Sequence, residues 1–239
     1  MGRTFVIGDL HGCVDELDGM LDAIGPTSSD RLCFLGDYVD RGPSAKGVID
    51  RLVRLRDEGV PSIFLKGNHE DMFLAYLGYP GRYGDAFLAN GGDATLESYG
   101  IRDLRGAAAA ERLPAMHREF LHALVTRVSF GSFLCVHAGV RPTQPLEAQV
   151  EEDLLWIRED FILNEHPFPY TVLFGHTPHR EVLLHLPFKL GLDTGLVYGN
   201  KLSCFELEGR ELWQMRRGGR CPQVRSLAED FARGVTSVA

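Results

Sequence analysis

The sequence predicts an α/β fold in which a second β-sheet packs on a first. Three observations lead there. The first third alternates short apolar runs with segments of helical periodicity, the pattern of successive βα units. Beyond about residue 130, strand-like runs separated by short turns dominate, which calls for a sheet of their own. Between these parts lies a stretch rich in Gly and Pro, then in polar residues and Ala, that reads as helices inserted into the core at about residues 78–128.

The elements follow in order. Residues 4–7 form an apolar strand, and Val14, Leu17 and Leu21 then recur at helical spacing. Residues 32–35 form a second strand, followed by a helix face of Val48, Ile49, Leu52, Val53 and Leu55. Residues 61–66 supply a third strand leading to a helix at about 71–77. Gly78, Pro80, Gly81 and Gly84 mark turns, and Pro114 precedes a helix at about 116–125. Residues 133–136, 171–174, 188–192, 202–207 and 212–215 read as strands. Without a linker or a repeat to divide it, the chain is expected to be one domain spanning 1–239.

Composition excludes several classes. With 44% hydrophobic and 24% charged residues, the chain resembles an ordinary globular protein. No apolar run reaches the roughly 18 residues that a membrane span needs. The start, MGRTFVIGDLHG, enters a strand at once, so the expectation is a cytoplasmic protein. The five cysteines are scattered and form no CxxC pair, which argues against a disulfide framework and a thiolate metal site. The net charge is −8, a value two bound divalent cations would halve. Duplex nucleic acid is therefore not an expected partner. Arg216, Arg217, Arg220 and Arg225 read as a solvated surface stretch.

One pattern carries chemistry. Five times an apolar strand ends in a small residue or a sharp turn, followed by a side chain able to bind a metal. The five places are Asp9 with His11, Asp37, Asn68, His137 and His176. Functional groups gather beyond strand carboxyl ends because neighbouring loops converge there. Carboxylate, imidazole and amide oxygen without thiolate suit Mn²⁺, Fe or Zn²⁺ better than Ca²⁺. Two such ions, bridged by one Asp, can hold a phosphoryl group and a hydroxide between them.

These motifs, GDLHG (8–12), GDYVDRG (36–42), GNHE (67–70), VHAG (136–139) and GHT (175–177), resemble the phosphoprotein phosphatase branch of the calcineurin-like metallophosphoesterases. DLLWIRED (153–160), LANGG (88–92) and LDTGLVYGNKLSC (192–204) extend the resemblance to the short bacterial and phage members, so that it covers residues 6 to about 207. It implies a sandwich of two sheets between helices. It implies that Asp9, His11 and Asp37 hold one metal, Mn²⁺ first among the candidates, and that Asp37, Asn68, His137 and His176 hold the other. His69 is implied as the acid that protonates the leaving group, Asp40 as its partner, and Arg41 and Arg158 as phosphate contacts. Water attacks directly in this family, so Cys13 beside His11 is a bystander.

The function implied is a serine/threonine-type phosphoprotein phosphatase of broad specificity, acting on phosphoproteins or small phosphoesters. The alternative is a symmetrical bis(5'-nucleosyl)-tetraphosphatase, which shares the GDLHGC start and the DTG stretch. The complete GDYVDRG and Glu70 favour the first. A non-catalytic phosphate-binding module would lack a ligand or the acid, and neither is lacking. His117, His122, His166, His179 and His185 are expected to be structural or at the surface, and Asp193 to shape the site or anchor a turn without being a ligand. The Asn90-Gly91-Gly92 loop and Tyr83 either line the cleft or form an ordinary turn. After Gly218, Val224, Leu227 and Phe231 suggest one last short helix.

Overall fold

The short apolar runs become strands whose side chains alternate between two faces, and in the computed structural model, which describes residues 2–237, that alternation sorts them into separate cores. The strands are, in chain order, β1 (Thr4–Ile7), β2 (Arg31–Phe34), β3 (Ser62–Phe64), β4 (Arg127–Phe130), β5 (Phe133–Val136), β6 (Thr171–Phe174), β7 (Leu183–His185), β8 (Lys189–Gly191), β9 (Lys201–Glu206), β10 (Glu211–Arg216), β11 (Gln223–Ser226) and β12 (Thr236–Ser237). The helices are α1 (Val14–Ile24), α2 (Ala45–Asp57), α3 (Asn68–Tyr76), α4 (Gly92–Tyr99), α5 (Gly106–Ala110), α6 (Ala115–His122), α7 (Glu151–Trp156), α8 (Glu159–Ile162) and α9 (Ala228–Arg233).

Six strands form each of two sheets, in the orders β11-β10-β9-β1-β2-β3 and β12-β7-β8-β6-β5-β4. Phe5 and Ile7 of β1, with Leu32 and Phe34 of β2, face a core shared with α1, α2 and the helices up to α6. Val6 and Cys33 point the other way and meet Cys135 and Leu173 of the second sheet, forming the seam between the sheets. Leu134, Val136, Val172 and Phe174 turn outward to a third core closed by Leu154, Ile157 and Phe161 of the α7–α8 region. The result is the expected sandwich of two mixed sheets between helices. All five cysteines are free, and Cys33 and Cys135 are buried as expected.

The parallel pairs β1–β2, β2–β3, β5–β6 and β6–β8 set the carboxyl ends of these strands side by side. The turns that carry the candidate donors leave the sheet at that edge. The third helix starts at Asn68, three residues before the expected boundary, so that Asn68, His69 and Glu70 form its first turn.

The strands β4, β7, β11 and β12 were not anticipated. Strand β4 is half exposed and joins β5 across Gly131-Ser132, a two-residue hairpin loop with Gly131 at φ +57°. The inserted stretch packs beside α2 rather than apart from it, and Val125 already bridges Leu65 before β4 begins. The tail forms strand β11 and then helix α9, with Val224 on the strand and Phe231 on the helix. That helix is docked: Phe231 stacks on Phe205 at 5.7 Å and meets Phe133 at 6.0 Å. Arg216, Arg217, Arg220 and Arg225 are exposed as expected, and Arg217 Nη1 also donates to Glu16 at 2.7 Å. Among the described residues, no helix is long and apolar enough to cross a membrane.

Candidate active site and metal centre

The turns after β1, β2 and β6, which carry three of the five sets of candidate donors, are strained. His11, Asp37, Asp40, Arg41 and His176 all have φ between +41° and +70°, five of the seven non-glycine residues in that region among those described. Each such residue costs about 1–3 kcal/mol and persists only where its surroundings over-determine it. Close packing between ligand turns explains two of the glycines. A Cβ at Gly67 would lie 2.1 Å from Asp37 Oδ1, and one at Gly175 would lie 1.9 Å from Asp9 Oδ1.

The turns bring the donor atoms together in two groups. His11, Asp37 and His69 offer ligand atoms within 4.8 Å of one another, and so do Asp37, His137 and His176. Asp37 belongs to both. Its Oδ2 lies 3.4 Å from His11 Nε2, and its Oδ1 lies 3.4 Å from His137 Nε2. Asn68 joins the second group, with Oδ1 at 3.0 Å from His137 Nε2 and 2.8 Å from His176 Nδ1. Asp9 stands beside the groups rather than inside either. Its Oδ2 accepts the His176 amide at 3.0 Å.

Second partners set the tautomers. His11 Nδ1 meets the Val39 carbonyl and His137 Nδ1 the Leu35 carbonyl, each at 2.8 Å. A carbonyl only accepts, so both Nδ1 atoms carry the proton and both Nε2 lone pairs face Asp37. Asp9 Oδ1 and His176 Nε2 are buried without a hydrogen-bond partner among the described residues. Lone pairs of carboxylate, amide and imidazole, converging and under-supplied with donors, fit divalent cations. Burial keeps the imidazoles neutral, as metal ligation requires: it pushes His11 down to about 3 and lowers His137 and His176. Burial and the charges of Asp193 and Asp37 raise the Asp9 carboxyl.

His69 differs from these histidines. Its Nδ1 lies 2.6 Å from Asp40 Oδ2. Burial works against its charged form, but Asp37 and the Asp40 hydrogen bond outweigh that and raise its pKa. Arg41 Nη1 reaches His11 Nε2 at 2.7 Å, and its guanidinium lies 5.6 Å from the centre of the Tyr198 ring. Arg158 Nη1 contacts Thr177 Oγ1 at 3.4 Å, beside His176. Cys13 is buried and its thiol is pushed up to about 12, so it offers no thiolate at neutral pH.

Several participants were not assigned from the sequence. Glu70 Oε2 accepts the amides of Asp37 and Gly67, and Oε1 those of Tyr38 and Val39, at 2.7–3.2 Å. Its position three residues into the helix, where an acid reaches back to free amides, was an available signal. Thr95 bonds Asp40 from 55 residues away, with no local signal. Trp156 sets its ring edge-on to His176 at 6.3 Å and to Tyr83 at 5.0 Å. The two open alternatives separate: exposed Tyr83 stands at the rim, held by Glu152 at 2.8 Å, whereas the Gly91 carbonyl accepts the Arg41 amide at 3.0 Å and so supports that turn. Of the two roles open to Asp193, its Oδ1 takes the turn anchor by accepting the Gly195 amide at 2.9 Å, while its charge also acts on Asp9. His117 is fully buried between Asp50 and Tyr99, a structural role.

The family model for calcineurin-like phosphoesterases matches residues 2–201. The chain belongs to that family. Among its relatives, the serine/threonine-protein phosphatase 1 of Salmonella typhimurium is 29% identical over 212 residues, covering 86% of this chain and 92% of the relative. The symmetrical bis(5'-nucleosyl)-tetraphosphatase of Aromatoleum aromaticum is 33% identical over 286 residues, covering 90% and 97%. A crystal structure described as a putative diadenosine tetraphosphatase superposes with a TM-score of 0.68 at 23% identity, covering 90% of this chain and 93% of its own. This calcineurin-like phosphoesterase thus presents, beyond its strand ends, groups of Asp and His side chains suited to divalent metals.

Proposed function

We propose that this phosphoesterase is a metal-dependent phosphomonoesterase, a serine/threonine-type phosphoprotein phosphatase of broad specificity. The observation that carries the reading is the His69–Asp40 pair at 2.6 Å beside two ligand groups that share Asp37. Asp9, His11 and Asp37 would hold one cation, and Asp37, Asn68, His137 and His176 the other. Two divalent cations, Mn²⁺ first among the candidates, would when bound supply a Lewis acid for the phosphoryl oxygens and a water of lowered pKa. Arg41 and Arg158 approach from opposite groups, each offering a planar fork to non-bridging oxygens. His69, oriented through Nδ1, presents Nε2 to give its proton to the leaving alkoxide. A groove of about 680 Å³ opens beside Arg158, lined by Val150, Trp156 and Ile157 with Glu152 and Asp153, and its size supports a polypeptide substrate.

The relative of 33% identity favours a second reading, cleavage of dinucleoside tetraphosphates. One panel separates the two. Protein loaded with Mn²⁺ is given phosphoserine, phosphothreonine and phosphotyrosine peptides and diadenosine tetraphosphate, and a chelator is expected to abolish all turnover. The highest kcat/KM is expected on the phosphoserine or phosphothreonine peptides. A dominant dinucleotide would install the second reading, and no hydrolysis of any substrate would sink both.

A further inference from the structure

Asp40 and Arg41 are consecutive non-glycine residues at φ +70° and +67°, and one element holds both. The start of α4 takes the Arg41 amide on the Gly91 carbonyl at 3.0 Å. As the fourth residue of that helix, fully buried Thr95 uses its hydroxyl twice on Asp40: it accepts the Asp40 amide at 2.8 Å and donates to Asp40 Oδ1 at 2.7 Å. The other carboxylate oxygen, Oδ2, is thereby left to His69 Nδ1 at 2.6 Å. A hydroxyl has one proton, so its direction is fixed: the amide fills the acceptor side and Oδ1 takes the proton. Asp40 is 0% exposed, and it can neither rotate its carboxylate nor relax its backbone without losing Thr95.

We propose that Thr95 is a positioning residue for the acid pair, locking the Asp40 carboxylate so that His69 Nε2 points at the leaving oxygen. The proposal rests on the reading of His69 as the acid. A role of this kind affects the leaving group and not the phosphoryl group. It should therefore show where the leaving group needs a proton and vanish where it does not.

The test is an aryl phosphate series on the Mn²⁺-loaded protein, from p-nitrophenyl phosphate, whose phenolate leaves readily, to phenyl phosphate, whose phenolate does not. Thr95→Val is expected to lower kcat on phenyl phosphate about 10- to 100-fold, while kcat on p-nitrophenyl phosphate stays within about threefold and KM within about twofold. Thr95→Ser, which restores the hydroxyl, is expected to recover most of that loss. Thr95→Ala carries the same test should the valine variant not fold. Equal losses along the series, or a serine variant no better than valine, would overturn the proposal. His69→Asn in the same series keeps the two failures apart. If His69→Asn shows leaving-group dependence and the Thr95 variants do not, positioning fails alone; if His69→Asn shows none, the acid reading falls and the proposal with it. A second readout, on protein loaded with diamagnetic Zn²⁺ in place of Mn²⁺, is the downfield Nδ1–H resonance of His69, assigned by its loss in His69→Asn. It should shift or broaden in Thr95→Val, and an unmoved resonance counts against the proposal.

Discussion

Four backbone amides converge on Glu70, and what they hold is the turn that carries Asp37, the carboxylate common to both ligand groups. Burial and the Asp37 charge push the Glu70 carboxyl up, to about 8, while the four N–H donors favour the anion. A neutral amide in its place has only one accepting oxygen and turns its own N–H donors toward two of the amides. Glu70→Gln therefore leaves buried donors unpaired at about 1–3 kcal/mol each. Because Asp37 is strained at φ +54°, the loosened turn should also release its carboxylate. Mn²⁺ affinity measured by calorimetry is expected to fall about 10- to 100-fold, the usual cost of removing an outer-shell partner. Unchanged affinity with lowered stability would confine Glu70 to folding. Glu70 lies inside the GNHE motif, and its Gly67 partner is local, but the other three partners lie 31–33 residues back and only the folded turn identifies them.

Elements are tied at their ends by buried carboxylates. At the amino end of the first sheet, Asp30 accepts the Arg3 amide at 2.8 Å, the Thr27 amide at 3.0 Å and the Arg3 guanidinium at 3.0 Å. These contacts pin β1 against the turn entering β2. The Arg3 hydrogen bond leads the causes that hold the Asp30 carboxyl well below the usual range. A depressed carboxylate contributes stability that is present above the unfolded-state pKa of about 3.9 and is lost as pH falls below it. With Arg3 41% exposed, screening keeps the contribution modest, about 1–2 kcal/mol. Urea unfolding should show the native protein losing stability from pH 5 to pH 2 more steeply than Asp30→Asn; parallel curves would remove Asp30 as a cause. Nearer the site, fully buried Asp71 accepts from Lys66 Nζ at 3.0 Å and from the Arg82 amide at 3.1 Å. Lys66 and Arg82 both pair with Glu151, which joins α3 to α7 and so the first ligand turns to the segment bearing Trp156 and Arg158.

Across the whole molecule, the seam between the sheets is closed at one end by the tail. Leu227 is fully buried, and Phe231 stacks on Phe205 while meeting Phe133 of the opposite sheet. Phe231→Ala should cost about 2 kcal/mol, below the full core range because the ring is only partly buried. For a chain of this size that lowers Tm by roughly 4–8 °C. Turnover per folded molecule should not change, since the ligand turns leave the opposite ends of the strands. Calorimetry and an assay below the transition check both halves, and a loss of kcat without a change in Tm would show that the tail acts on the site.

The sequence by itself determined the fold class, the strands that bury both faces and where the six candidate donors stand at their ends. Each of these is written locally, in apolar runs, in glycines where a Cβ would strike a neighbouring carboxylate, and in the donor types themselves. The half-exposed strand β4, the split of the tail into β11 and α9, and the placement of the inserted helices beside α2 were decided by tertiary structure. Short segments of mixed exposure carry no clear periodicity, and their pairing partners supply the missing energy. The same holds at the site. Asp9 gives Oδ2 to an amide 167 residues away and leaves Oδ1 unpartnered, and Asp40 is held by a hydroxyl 55 residues away. A ligand's identity is local chemistry, but its orientation belongs to whatever the fold packs behind it.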